Sequence, residues 1–463
     1  MTAAEPVETC AGLVPLVTGM GLDDTVAWTS EGPRRVRDLV ADARALSHRL
    51  PAGSHLLNAC HDRYRFAVGF VAGLLTGKVS LQPSSQSEET LRRLWNDHPD
   101  LVALTDAPFD AAIEGIGLPC LPFPARVAAD PAAVAEVPAF PADRLAAVLF
   151  TSGSTGLPQP HRKTWGRLAQ NGRVEAERLG LTKRPHTIVG TVPVQHSYGF
   201  ESTFLQVLHG GGAFWAGRPF YPQDIVAALA AVPAPRLLVT TPFHLSTLLA
   251  ADLPLPETAL VLSATAPLSG HLAAQAEARF GAPLHEIYGS TESGQLASRR
   301  TTAGAEWALL DGVRLEQHGD DTFALDGHVE GRVPLSDRIE CLADQRFLLH
   351  GRHADLVNMA GKRTSLAYLN HQIGAVPGVV DAAFFLPDDE CHGDDRVTRL
   401  TAFVVAPGVD RATLLAELRQ RLDPVFLPRP LVFVEALPRN ATGKLPREQL
   451  KSLYTEKVRH GQL

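Results

Sequence analysis

Short apolar, β-branched runs alternate along this chain with longer Ala- and Leu-rich stretches of helical spacing, and that alternation limits what it can fold into. His55–Asn58, Leu145–Phe150, Arg236–Thr240 and Ala259–Leu262 read as strands, whereas Asp224–Ala231 and Leu268–Phe280 are Ala- and Leu-rich with helical spacing. Strand, helix, strand in succession predicts a parallel sheet with helices on both faces. In such sheets a ligand lies beyond the carboxyl ends of the strands, where the loops meet. The expected fold class is therefore α/β.

With 463 residues, 45% hydrophobic, the chain is too long for one small domain, and two or three folding units are expected. The character changes after Gly351. Asp381–Leu386, Leu400–Val405, the periodic helix Ala412–Leu422 and Leu431–Val434 read as a small α+β unit. The join is placed near Arg352, which divides the chain into residues 1–350 and 351–463.

The net charge of −7, without a basic tract, argues against nucleic acid as a partner. Met1–Cys10 is acidic and lacks the basic-then-apolar pattern of a signal peptide. The longest apolar run, Phe66–Leu75, is about half of the ~20 residues that span a bilayer, and reads as a buried helix. Cys10, Cys60, Cys120, Cys341 and Cys391 are far apart, with no ligand spacing, so a reducing cytoplasm is the expected compartment.

The strongest local signal is the strand that runs through Leu149-Phe150 into Thr151-Ser152-Gly153-Ser154-Thr155-Gly156. Glycines allow close approach of a ligand to the backbone, and exposed N–H groups with hydroxyls form a nest for phosphate oxygens. No Lys-Ser or Lys-Thr follows the second glycine, so this is not a Walker A loop, nor is it the Gly-x-Ser-x-Gly elbow of a hydrolase.

This loop resembles the phosphate loop of the adenylate-forming superfamily: acyl- and aryl-CoA synthetases, peptide-synthetase adenylation domains and luciferases. Further matches follow in order: Ser263-Ala264-Thr265-Ala266-Pro267-Leu268, Tyr288-Gly289-Ser290-Thr291-Glu292, Asp337 ahead of Gly351-Arg352, and Pro438 ahead of Gly443-Lys444-Leu445. The resemblance implies a large N-terminal domain of mostly parallel sheets flanked by helices, and a small mobile C-terminal domain that carries the catalytic Lys444. It implies ATP and Mg²⁺ as cofactors, and CoA or the phosphopantetheine of an acyl carrier protein as the thiol acceptor. Thr151–Gly156, Thr265, Ala266, Tyr288, Gly289, Asp337 and Arg352 would bind the nucleotide. Tyr288 would stack on adenine, and Asp337 and Arg352 would bind the ribose. Glu292 beside Thr291 would hold the Mg²⁺ that bridges the ATP phosphates. Gly361 would border the thiol channel, with Lys362, Arg363 and Arg439 as candidates for the ribose phosphate of CoA.

The chain departs from the pattern twice. Pro158-Gln159-Pro160-His161-Arg162-Lys163 lacks the lysine of the usual Pro-Lys-Gly, and Lys163 or Arg162 is expected to replace its charge. The hinge, usually Gly-Arg-x-Asp, reads Gly351-Arg352-His353-Ala354-Asp355. Together with Lys163-Thr164-Trp165, the first variant is similar to the small ligases of aryl-polyene and xanthomonadin pigment clusters, which implies a hydroxybenzoate-like acid.

The acid is expected among His196, Tyr198, Gly199, Phe200, Glu201 and Ser263, with the aromatic rings as a flat wall. Glu201 keeps a rival open, because amino-acid-activating relatives bind the substrate amine with an acidic side chain near this point. A non-catalytic ATP-binding relative is the other alternative.

Overall fold

A computed structural model describes residues 12–83, 86–108, 114–125, 127, 129–152, 158–319, 321–352, 356–359, 362–387, 400–439 and 445–459. The expected alternation builds two sheets. In the first the strands lie in the order Pro158–Thr164, Leu145–Ser152, Val79–Gln82, His55–Asn58, Leu101–Thr105 and Cys120–Pro122. All neighbours are parallel except the first pair.

The second sheet has parallel strands at its centre, Leu284–Ser290, Leu260–Ser263, Arg236–Thr240, Thr187–Gly190 and Ala213–Trp215, continued by Thr25–Thr29. Its far flank is antiparallel from Gly294–Arg299 onward, through Trp307–Leu309, Arg346–Arg352 and Asp337–Cys341. The switch follows from connection length. Parallel strands need a crossover of a dozen or more residues, and only a tight turn separates Ser290 from Gly294.

The run Phe66–Leu75 lies inside the helix Arg63–Thr76, started by the Asp62 carboxylate on the Arg65 N–H and ended by Gly77 in the left-handed region. This helix is wedged between the sheets. Phe66 and Phe70 meet Phe200 and Phe204 from the helical stretch after Ser197, and Phe70 also meets Trp165, with centroids 5.3–6.4 Å apart. Burying each ring stabilises by roughly 1.5–3 kcal/mol, and each edge-on pair adds about 0.5–1.5 kcal/mol. No described helix is long and apolar enough to cross a membrane.

From Val357 onward the apolar residues form cores of their own. The strands Asp381–Phe385, Thr401–Val405 and Leu431–Phe433 form a small sheet. Its side chains alternate: Phe384, Ala402 and Val404 pack on the helices Leu366–Gly374 and Arg411–Arg421, while Phe385 and Phe403 pack on Arg447–Tyr454.

Candidate active site

The strands Leu260–Ser263 and Leu284–Ser290 run parallel, so their motif residues leave the second sheet at the same end, and contacts of His161 and Lys163 with Glu292 bring the first sheet to that end. Thr151 lies near the end of the strand Leu145–Ser152, which pairs antiparallel with Pro158–Thr164, Ser152 opposite Pro158. Gly153, Ser154, Thr155 and Gly156 lie outside the described residues, as does the side chain of Ser152. The Thr151 hydroxyl is 3.0 Å from His161 Nε2 across this strand pair.

Alternation along Pro158–Thr164 turns His161 and Lys163 inward and leaves Arg162 exposed. The expectation that Lys163 replaces the loop lysine at the phosphates is corrected here; Arg162, being exposed, is not part of that correction. Lys163 is 4% exposed, and its ammonium donates to the Glu292 carbonyl at 2.8 Å. His161, which the motif reading passed over, reaches within 3.8 Å of the Glu292 carboxylate. The signal for it was present: a histidine two residues before a lysine, on the strand leaving a phosphate loop.

Glu292 lies in the turn between the strands Leu284–Ser290 and Gly294–Arg299. The register slips at Tyr288/Gly289, and a Cβ on Gly289 would stand 2.3 Å from the Gly294 carbonyl, so the bulge requires glycine. Ser290 and Ser293 brace the turn, each hydroxyl accepting from the other's backbone N–H at 3.2 Å. Thr291 Oγ1 is 3.2 Å from the Ser197 hydroxyl. Burial pushes the Glu292 carboxyl upward, but hydrogen bonds from its own N–H and from Ser290, with nearby His161 and Lys163, outweigh that and hold it below the ordinary range. An ionised, half-buried carboxylate beside His161 suits Mg²⁺, which takes one or two carboxylates and completes its shell with substrate phosphates and water. Among the described residues no group of three His, Cys, Asp or Glu side chains could cage a metal.

On the opposite side, Tyr288 donates its phenolic hydrogen to Asp337 at 2.8 Å, and its ring packs against Trp307 and Phe347. Asp337 in turn faces Arg352 across the antiparallel pair, whose register brings the two together; the Arg352 side chain lies outside the described residues. Thr265, just past the strand Leu260–Ser263, has φ of +77°, a left-handed conformation that costs a β-branched residue on the order of 1–3 kcal/mol. Thr265 and Ala266 are half-buried at the site's edge.

The acid segment is less exposed than expected. His196 is half-buried, but Tyr198 is buried and donates to the Leu262 carbonyl at 3.1 Å. A Cβ on Gly199 would stand 2.0 Å from the Pro193 carbonyl, so glycine permits the tight entry to this helix. Phe200 is corrected from pocket wall to core: it shares the inward helical face with Phe204 and is fully buried among aromatic rings. Ser263 is fully buried too. Glu201 is corrected as an amine ligand. It is 2% exposed, and burial pushes its carboxyl up to about 7 against the opposing pull of Lys163 and Asn171.

Arg63 was missed altogether. Its buried guanidinium donates to the carbonyls of Trp215, Gly217, Gly190 and Val192 at 2.8–3.0 Å, which ties down the strand end that leads to His196. Nothing in the sequence distinguishes it from any arginine at a helix start.

Lys444, Gly361 and the variant hinge residues His353, Ala354 and Asp355 lie outside the described residues, as do the side chains of Lys362 and Arg363. Arg439 is corrected as a phosphate candidate: it forms a forked pair with Asp381, both contacts at 2.7 Å.

Residues 66–316 match the family of AMP-binding enzymes, and residues 370–444 match the AMP-binding enzyme C-terminal domain. A 4-coumarate–CoA ligase of Rhodobacter capsulatus is 32% identical over 303 residues, 64% of this chain and 74% of the relative. A 3-hydroxybenzoate–CoA/4-hydroxybenzoate–CoA ligase of Thauera aromatica is 25% identical over 353 residues, 67% of this chain and 66% of the relative. The crystal structure of ATP-bound MatB from Rhodopseudomonas palustris shares the fold, with a TM-score of 0.78, 21% identity, and coverage of 94% of this chain and 96% of that one.

Proposed function

The chain belongs to the family of AMP-binding enzymes, and from that premise we propose that it activates an aromatic, hydroxybenzoate-like acid as its acyl-adenylate and passes the acyl group to a phosphopantetheine thiol. The chain is an AMP-forming acid–thiol ligase; the acid and the acceptor, a carrier protein or CoA, are the parts proposed.

The observation that carries the reading is the convergence on Glu292: an ionised carboxylate 3.8 Å from His161, which is itself 3.0 Å from the Thr151 hydroxyl beside the glycine-rich loop. A carboxylate oxygen of the acid attacks the α-phosphorus of ATP, the bond to the bridging oxygen breaks, and pyrophosphate leaves. Glu292 would hold the Mg²⁺ that neutralises the phosphates, with Thr291 beside it, while Tyr288, Asp337 and Arg352 would orient the adenosine. Lys444 would reach the α-phosphate as charge builds there. In the second step the thiol, having lost its proton, attacks the acyl carbon, and AMP departs with the electron pair of the broken C–O bond. The aromatic acid is supported by the 4-coumarate and hydroxybenzoate specificities in the names of the relatives, and by half-buried His196 beside the Ser197–Thr291 contact.

The test is exchange of labelled pyrophosphate into ATP with benzoates, fatty acids and amino acids. Exchange that requires a hydroxybenzoate is expected. Exchange with amino acids alone would refute the aromatic assignment, and ATP binding without any exchange would favour a non-catalytic relative.

A further inference from the structure

Beneath the Glu292 turn lies a small cavity lined by Lys163, Arg167, Asn171, Glu201, Ser293 and His328, among other residues. Lys163 enters it from the strand Pro158–Thr164, and Glu201 from the helical stretch Phe200–Leu205, a segment wound more widely than an α-helix. Both side chains are buried, and each feels the other's charge. Oxygen Oε1 of Glu201 has no hydrogen-bond partner, while Asn171 hydrogen-bonds to the carboxylate.

The direction in which Lys163 spends its ammonium is informative. A cation placed only to neutralise Glu201 would close on that carboxylate. Lys163 instead donates at 2.8 Å to the Glu292 carbonyl, 129 positions away. A backbone carbonyl in a turn of five residues, Ser290 to Gly294, sets the direction of the side chain on the same residue. The two serines brace the same turn from the side, and Lys163 braces it from below. From this geometry we propose that Lys163 is a positioning residue for Glu292: its buried ammonium clamps the turn and so aims the Glu292 carboxylate at the phosphate-bound metal, with Glu201 as the counter-charge that keeps a cation in that place. This rests on the adenylation reading and adds a residue of this chain to it. Supporting groups behind a metal-binding carboxylate typically change metal affinity or activity by about 10–100-fold when removed.

The experiment compares wild type, Lys163→Met and the double variant Lys163→Met/Glu201→Leu in pyrophosphate exchange, with thermal unfolding measured in parallel. Lys163→Met alone leaves a buried carboxylate uncompensated and is expected to lower Tm. The double variant removes both charges and is expected to restore Tm, since replacing a buried pair by apolar groups is often neutral. Exchange in both variants is expected to fall about 10–100-fold in kcat, with a raised Mg²⁺ requirement and an unchanged KM for the acid. Wild-type exchange in the double variant would overturn the proposal, because Lys163 would then serve only to neutralise Glu201. Wild-type exchange in Lys163→Met would overturn it as well. Failure of the wild-type protein itself to exchange would instead refute the adenylation reading on which the proposal stands.

Discussion

Tyr288 and Asp337, 49 positions apart, are joined by a hydrogen bond of 2.8 Å from the phenol to the carboxylate. The tyrosine stands at the bulge before Gly289, and the aspartate begins the strand paired with Arg346–Arg352. The bond therefore couples the residue assigned to adenine with the residue assigned to ribose.

Tyr288→Phe keeps the ring and its packing on Trp307 and Phe347 but frees Asp337 from its neutral donor. A hydrogen bond to a charged group contributes about 1.5–3 kcal/mol. The KM for ATP in pyrophosphate exchange is expected to rise roughly 10-fold, the equivalent of about 1.4 kcal/mol, and Tm to fall, since the bond already exists in the nucleotide-free fold. An unaltered KM would dissociate this pair from nucleotide binding.

Phe200→Leu tests the correction from pocket wall to core. The ring is fully buried among Phe66, Phe70 and Phe204, so its loss is expected to cost roughly 1–3 kcal/mol in urea unfolding. The ranking of benzoates by kcat/KM should stay as in the wild type. A changed ranking with full stability would return Phe200 to the pocket.

Arg63→Met strips four carbonyls of their donor in a buried place. Each orphaned acceptor costs about 1–3 kcal/mol before relaxation, and the net loss is expected at roughly 3–5 kcal/mol. Lysine should rescue little, because a single ammonium cannot reproduce the planar fork of the guanidinium. Denaturant unfolding of the two variants checks this; a loss under 1 kcal/mol, on the order of a surface substitution, would contradict it.

Glu175 gives stability a pH dependence of definite sign. Burial pushes its carboxyl up to about 8, and the Ser202 hydroxyl donates to it at 2.8 Å. The folded state therefore holds a proton that the unfolded chain releases near 4.5, the ordinary value of a glutamate carboxyl. The contribution is complete below pH 4.5 and is lost as pH rises toward about 8, at up to roughly 1.4 kcal/mol per unit. Glu175→Gln resembles the protonated acid, so the difference in Tm between wild type and variant should grow with pH over that window. A difference independent of pH would show that Glu175 does not titrate on unfolding.

The order of the elements was legible because it depends on local patterns. The alternation of strand and helix, the buried helix at Phe66–Leu75, and the successive loops at Thr151, Ser263 and Tyr288 all follow from side-chain periodicity and residue type within short windows. The switch to an antiparallel flank after Ser290 was also latent there, in a turn too short for a crossover.

Only the tertiary structure decided what each side chain faces. Periodicity assigns Phe200 and Phe204 to one helical side but does not say that Phe66 and Phe70 stand opposite, so an apolar pocket and an apolar core look alike in sequence. The same holds for charge. Lys163, Glu201, Arg63 and Arg439 are chemically able to meet a phosphate, an amine or a thiol carrier, yet three of them are buried against internal partners and the fourth is paired with Asp381. A side chain's type fixes what it can bind, and the partners that reach it through long-range packing, such as the carbonyl of Glu292 over Lys163, fix what it does bind.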